Sequence, residues 1–456
     1  VHKFLAMENV NQIRLPSSFE DMPFDAAYET LKDRKSHLPA ELEKVSIELE
    51  EMSKAWYLRL TTIRDVLIDK IEEINAIPKF GRTDYAFVIN GWIPVKEVDD
   101  LRSAISARWG DDIIITETEV SEEEFGDTPV AMKNPDRVSP FSQLMSVRGV
   151  PRYGTVDPTW MLFIFFPLFY GMIVGDAGYG AVMLGMIVWL RYKFKENEII
   201  QIATSILGPA ATMVIAFGLA YGEIFGDLPT YFGWVRVDPV THAASWFGVI
   251  PIFHRTQEIM PFMIIALAVG VVHVLLGLVI GVVNAVKTKN KKHLYERGGI
   301  LTMLLGILMI VALGQLGAEK WLGPTGDAIA QAVIALVAIA GFVYAIKGGS
   351  VMGVVETLES FAHIASYIRI MAVGLAGALF ADAINQIVVI LSGPGKISII
   401  GIAMGIVLHS LHVVMASFSP LIHALRLNLL EFFGKFYETG KQPYSPFTKT
   451  GGEESV

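Results

Sequence analysis

The sequence predicts a mainly α-helical protein: a polytopic membrane domain of eight helices, two of them long and tilted, joined to a water-exposed coiled coil and a small α/β lobe. Three observations carry this prediction. The chain is 52% hydrophobic over 456 residues, with a mean hydropathy of +0.47, and the excess is uneven. Residues 1–150 read as soluble, whereas residues 159–436 are a series of long apolar runs. A spacing alternating between three and four marks a coiled-coil seam in the soluble part. Finally, Gly349 to Leu391 holds no proline and has an arginine near its middle.

In chain order, residues 1–24 read as a short strand or loop (VHKFLA, IRLP) and a linker with Pro16 and Pro23. A short helix, about Asp25 to Lys35, follows. Pro39 suits the first turn of the next helix, about 39–77, which Pro78 ends. Leu38, Leu42, Val45, Leu49, Met52, Trp56 and Ile63 form its seam. A seam needs a partner, expected either in preceding sequence or on another subunit. The lobe, about 80–120, reads as strand, helix, strand: Asp84 to Trp92, a helix of about Val95 to Arg108, then Asp111 to Thr118. It carries no nucleotide fingerprint. Glu122, Glu123 and Glu124 read as a solvated acidic face, and residues 128–157 as a linker ending PRYGTVDPT. The two domains are thus 1–150 and 151–456.

The eight expected spans are about 159–175, 180–194, 200–225, 260–286, 298–317, 327–346, 350–391 and 397–436. Basic residues fix their orientation. Arg191, Lys193 and Lys195, then Lys287, Lys289, Lys291, Lys292 and Arg297, then Lys347, then Lys435, Lys441 and Lys449 all fall on the side of the N-terminal domain. The opposite loops hold Arg236, Arg255, Lys320 and Lys396. By the positive-inside rule both termini are cytoplasmic.

The seventh run would make a helix ~60 Å long at ~1.5 Å per residue, about twice the ~30 Å hydrocarbon core, so it must tilt or protrude. Arg369 lies near its middle. A guanidinium does not deprotonate, so burial cannot neutralise it. Ala365, Ser366, Ala372 and Ala376 share its face and would let another helix pass close. The blander alternative is a tight helix contact with Arg369 snorkelling to a headgroup. The eighth run is also long, contains Pro420, which should kink or break it, and carries Arg426 near His423, Asn428 and Glu431.

Sorted by depth, Glu356, Glu359, His363 and Glu431 fall on the cytoplasmic side of the arginine layer. Asp382, Asn385, Gln386, His409 and His412 fall on the outer side. Protonatable groups on both sides of a fixed positive charge are what two offset half-channels require. Two readings stay open for several residues: Glu356 also suits a helix start, and His409 and His412 also suit satisfied buried positions. Asp176, in the turn GDAGYG, either lines the outer path or caps the second span. That turn lacks the lysine of a phosphate loop. Glu223, Asp227 and His273 read as structural, and Gly270, Gly277 and Gly281 as packing positions.

Composition excludes several classes. A net charge of −9 rules out a general nucleic-acid binder. With no cysteine there is no disulfide, thiolate metal site or cysteine nucleophile. Neither a metal site nor a nucleotide site is expected, and no cofactor.

The segments PRYGTVDPT, GDAGYG, ASYIRIMAVGLA and HALRLNLLEFFGKFYETGKQPYSPF, with the NGWIP strand, resemble the membrane stator subunit (subunit a, or subunit I) of V-type and archaeal A-type rotary ATPases. The resemblance implies that Arg369 and Arg426 face a rotating ring of small subunits, each with a buried carboxylate. It also implies a two-lobed cytoplasmic arm anchoring peripheral stalks. A central-stalk cap subunit and a soluble ATPase head complete the expected partners, alongside the lipid bilayer. The expected location is the plasma membrane of an archaeon or bacterium. Two departures stand out. The family's arm begins earlier, so an N-terminally incomplete chain is expected. Eukaryotic relatives carry a carboxylate ten residues before the second arginine, where this chain has Ala416, whereas Glu431 matches the family pattern.

The alternative is a proton-coupled secondary transporter, but the two arginine helices have no counterpart in spans one to four. An inert membrane anchor is disfavoured by the cost of buried arginines. Co-purification of a small apolar ring protein with soluble ATPase subunits separates these readings.

Overall fold

A computed structural model describes residues 23–121, 124–145, 148–231, 235–237, 244–246, 254–393 and 398–449. The expected N-terminal strand (VHKFLA, IRLP), Glu122, Glu123 and Lys396 lie outside them. The chain divides into two units, residues 1–93 with 446–456, and residues 94–445.

The first unit is dominated by α1 (Phe24–Ala76). Its length corrects the expectation of two helices separated before Pro39: the helix runs through that proline. Pro39 removes one helical hydrogen bond, but its turn is solvent-exposed, so water can satisfy the freed carbonyl. The seam residues Leu42, Leu49, Met52 and Trp56 are all exposed, and among the described residues nothing covers them. After α1, β1 (Gly81–Arg82) and β2 (Phe87–Val88) form a two-stranded antiparallel hairpin, with Gly81 opposite Val88.

The second unit opens with α2 (Val98–Trp109), where the sequence predicts a helix. The second strand of the lobe, Asp111 to Thr118, is not formed: residues 114–121 carry no regular secondary structure. A β-prone run keeps its strand conformation only where a neighbouring edge pairs its backbone. α3 (Ser139–Met145) precedes the membrane helices.

Helices stand at all eight expected span positions. α4 (Thr159–Val174) and α5 (Ala177–Lys193) are the two shortest. Then come α6 (Glu198–Tyr221), a small hairpin of β3 (Val235–Val237) and β4 (Ala244–Trp246), α7 (Ile259–Lys287), α8 (Lys291–Leu316) and α9 (Glu319–Gly349). The last two runs are α10 (Val351–Ser366) with α11 (Ile368–Ser392), and α12 (Ile399–Arg426) with the segment to Lys435. Among the described residues six of these are long and apolar enough to cross a membrane, including the 42-residue run Val351–Ser392 and the 37-residue run Ile399–Lys435.

Two local features depart from plain α-helix. The seventh run changes register at Tyr367, between α10 and α11. In the eighth, Pro420 does not end the helix, which continues to Arg426; the irregularity lies just beyond, in a π-helical segment Leu427–Phe432.

α4 sits at the centre of this unit. Leu162, Phe166, Phe169 and Ile173 join one buried core with Ala210 and Val214 of α6, Phe262 and Val274 of α7, and Leu427 and Phe432. α8 and α9 pack closely where Gly299 meets Ala345 and Gly341, so no side chain fits between them. Gly270, Gly277 and Gly281 of α7 are packing positions, as the sequence predicts: they lie against Tyr367, Phe432 and Lys435.

The expected linker and the C-terminal segment, nearly 300 residues apart, are zipped together. Arg152 N donates to Glu438 O, Gly440 N to Val150 O, and Tyr444 N to Val130 O. The Glu438 carboxylate lies 3.1 Å from Arg152 and 3.4 Å from Arg297. The Tyr437 hydroxyl donates to Gly149 O at 2.6 Å, and burial pushes its pKa up to about 12, so it stays a donor.

Candidate functional site: two arginines and one carboxylate

Arg369 lies two residues beyond Tyr367, and Arg426 is the last α-helical residue before the π segment. In an α-helix residues five apart point about 140° away from each other. In a π turn, whose hydrogen bonds run from i to i+5, they stack. The π segment therefore brings Glu431 beneath Arg426. Glu431 Oε1 lies 3.6 Å from Arg426 Nε and 3.6 Å from Arg369 Nη1. One carboxylate thus lies between both guanidinium groups, and its charge offsets their mutual repulsion.

The three side chains differ in exposure: Arg426 is 53% exposed, Arg369 20% and Glu431 3%. Ala365, Ala372 and Ala376, on the face of Arg369, are exposed too, and Ser366 is half-buried. Both arginines therefore stand on an open face floored by small side chains, which among the described residues nothing covers.

Behind this face lies an aromatic platform. His273 Nδ1 and the Tyr367 hydroxyl share a hydrogen bond of 2.6 Å, and the His273 ring stacks on Phe432 with centroids 3.9 Å apart. Tyr367 precedes Arg369 by two residues and Phe432 follows Glu431, so His273 fixes the backbone under both charges. Its structural reading holds. Asn428 donates to Ala424 O at 2.8 Å within the same turn.

On the side toward Val351, Glu356 and Glu359 line a cavity of about 360 Å³ with Lys292, His293, Glu296 and Arg297. His293 Nδ1 lies 3.4 Å from Glu296 Oε2. Lys435, counted from the sequence as a loop cation, is instead buried and donates to Ser360 Oγ at 2.9 Å. His363 is half-buried, with its ring beside Gly434. Glu431 does not join this cavity; it belongs to the arginine layer.

On the side toward Ser392, four predicted residues converge on the turn Phe225–Asp227. Asp176 accepts from Tyr179 N at 3.0 Å, capping α5, and from Phe225 N and Gly226 N at 2.9 and 2.6 Å. Asp382 accepts from Asp227 N at 2.8 Å, and Asn385 donates to Phe225 O at 2.8 Å. His409 lies between the Tyr179 hydroxyl at 2.7 Å and Asn385 Oδ1 at 3.1 Å. His412 stacks on Phe380, 5.0 Å between centroids. Gln386 is exposed and stands apart from the cluster. A mostly apolar cavity of about 980 Å³ lies alongside, lined by Tyr170, Met183, Phe225, Asn385, His409 and Phe418 among others.

Two participants were not legible as such. Tyr179 lacks any distinguishing local pattern. Arg255 counts from the sequence as a loop charge, yet it is 1% exposed. It pairs with Glu223 through two contacts of 2.7 and 2.6 Å, and donates to Ile173 O and Val174 O at 3.0 and 2.8 Å. It thereby satisfies the open carbonyls at the end of α4.

Long apolar helices, a buried ion pair and two arginines within the apolar runs define a polytopic membrane protein that keeps costly charges in its helices. The chain belongs to the V-type ATPase 116 kDa subunit family, whose model matches residues 21–312 and 350–449. It is 28% identical to the A-type ATP synthase subunit I of Methanocaldococcus jannaschii, over 97% of this chain and 67% of that protein. It is 27% identical to the protein of that name from Pyrococcus horikoshii, over 98% and 66%, and 24% identical to the V-type ATP synthase subunit I of Borreliella burgdorferi, over 84% and 65%. The chain spans about two-thirds of the length of these relatives. It is thus one subunit of an ATP synthase family, not a free-standing ATP-hydrolysing enzyme.

Proposed function

We propose that this chain is the ion-translocating stator subunit of a V/A-type rotary ATPase, crossing the membrane eight times with both termini in the cytoplasm. The observation that carries the reading is the open, small-residue face bearing Arg369 and Arg426. A ring of small subunits, each with a buried carboxylate, turns against that face. A ring carboxylate arriving beside the guanidinium groups is stabilised as the anion and releases its proton. Past the arginines it takes up another. The fixed charges also repel a proton from crossing directly.

The Glu356–Glu359 cavity, with His363 beside it, forms the cytoplasmic half-channel. The cluster of Asp382, Asn385, His409, His412 and Asp176 forms the outer one, with Tyr179 added. The exposed seam of α1 pairs with a further helix of the arm that anchors peripheral stalks. The central-stalk cap and the soluble ATPase head are the remaining partners, and ATP chemistry resides in the latter.

The test is Arg369→Ala in the assembled complex, reconstituted into vesicles. The complex assembles, and ATP-coupled ion pumping is lost. Pumping near the unmodified rate removes Arg369 from the mechanism. The isolated chain in liposomes takes up no solute; saturable uptake of a small molecule supports the transporter reading instead.

A further inference from the structure

We infer that Glu431 is a built-in counter-ion that sets the net charge of the arginine layer, and so decides how tightly the layer holds a passing ring carboxylate. The inference rests on the stator reading and assigns Glu431 a positioning role, in place of a proton-conducting one.

The geometry points this way. Among the described residues no other carboxylate pairs with Arg369 or Arg426. Glu431 is nearly inaccessible, lies equally distant from both arginines, and touches the open face only through them. Its second oxygen, Oε2, is buried without a hydrogen-bond partner, and the two guanidinium groups are the charged side chains that face the carboxylate. At 3.6 Å both contacts exceed hydrogen-bond length. The arginines are held by charge and can turn toward another anion without breaking a short bond.

The charge count follows. Two arginines and one glutamate leave the layer with a single net positive charge opposite the ring. That is enough to favour one deprotonated carboxylate without trapping it. With Glu431 neutral the layer carries two positive charges and holds the ring anion too strongly to release it. With Arg426 neutral the layer carries none and no longer favours deprotonation. Removing both charges restores one.

This gives a prediction that a structural role does not share. In the assembled complex reconstituted into vesicles, Glu431→Gln and Arg426→Gln each lower ATP-driven ion pumping by about tenfold or more. The Glu431→Gln/Arg426→Gln double variant pumps faster than either single variant, by about threefold or more. Glu431→Asp, which keeps the charge, retains most of the activity. If Glu431→Gln does not assemble, the double variant is compared with Arg426→Gln alone: faster pumping supports the inference, equal or slower pumping overturns it. A Glu431→Gln complex pumping at the unmodified rate, or a double variant no faster than the better single one, also overturns it. Neither result touches the stator reading, which the Arg369→Ala measurement tests separately.

Discussion

The ring nitrogen of His273 lies 2.6 Å from the hydroxyl of Tyr367, and among the described residues that histidine has no other hydrogen-bond partner. Tyr367 sits where α10 passes into α11, and this one bond pins that junction to α7. Removing it acts on Arg369 at a distance of two residues. His273→Ala leaves a buried hydroxyl without a partner and a cavity beneath Phe432, costing roughly 3–5 kcal/mol. Tyr367→Phe costs roughly 1–2 kcal/mol, because only the hydrogen bond is lost. Thermal unfolding of the purified protein in detergent reads both, and the order His273→Ala worse than Tyr367→Phe is the outcome to check.

Arg255 and Glu223 form a buried ion pair that also closes the end of α4. Glu223→Gln leaves a buried guanidinium with neutral acceptors and no compensating carboxylate charge, and the cost is roughly 3–5 kcal/mol. In the Glu223→Gln/Arg255→Gln double variant the loss is smaller than the sum of the single losses, because neither charge is left unpaired. Equal and additive losses in thermal unfolding would show that the pair is not coupled.

Arg369→Lys tests the shape of the charge. A compact ammonium lacks the delocalised fork that lets one group face Glu431 and the open surface together. Pumping by the reconstituted complex is expected to fall by about tenfold or more, even though the formal charge is kept. Full activity would mean that a point charge suffices.

The zipper between residues 148–157 and 436–444 gives a stability prediction. Glu438→Gln removes the partner of two arginines, one of them, Arg297, almost buried. The expected loss is about 1–2 kcal/mol, larger than for an exposed ion pair. Limited proteolysis is the sensitive measurement: the C-terminal segment of the variant is cleaved first, while the helices remain protected. Unchanged protection would show that the backbone bonds alone hold the segment.

Much of the architecture is legible without a structure because it depends on composition along the chain. A run such as Ile259–Lys287 is apolar for longer than any soluble helix needs, and the cost of exposing backbone in lipid leaves helix as the conformation. Gly175 and Asp176 mark the turn between α4 and α5 through local backbone chemistry, a left-handed glycine followed by an N-cap. Arg369 and Arg426 stand out because a charge that cannot be neutralised is costly anywhere in an apolar run. All of these are properties of one residue or one segment.

What only the tertiary structure decided concerns pairs of segments. The second lobe strand fails because a strand needs an edge, and no local pattern supplies one. The seam of α1 is legible as a seam, yet its partner is not. Glu431 reads from an α-helical period as pointing away from Arg426, and the π turn alone brings it beneath that arginine. Arg255 and Lys435 read as loop charges because they stand at the ends of long apolar runs, whereas their partners, Glu223 and Ser360, lie 32 and 75 residues away. The physical reason is common to all of these. Propensity and hydropathy act through short range along the chain, but a buried charge is stabilised by whichever group folding brings within a few ångströms, and that choice is made by packing.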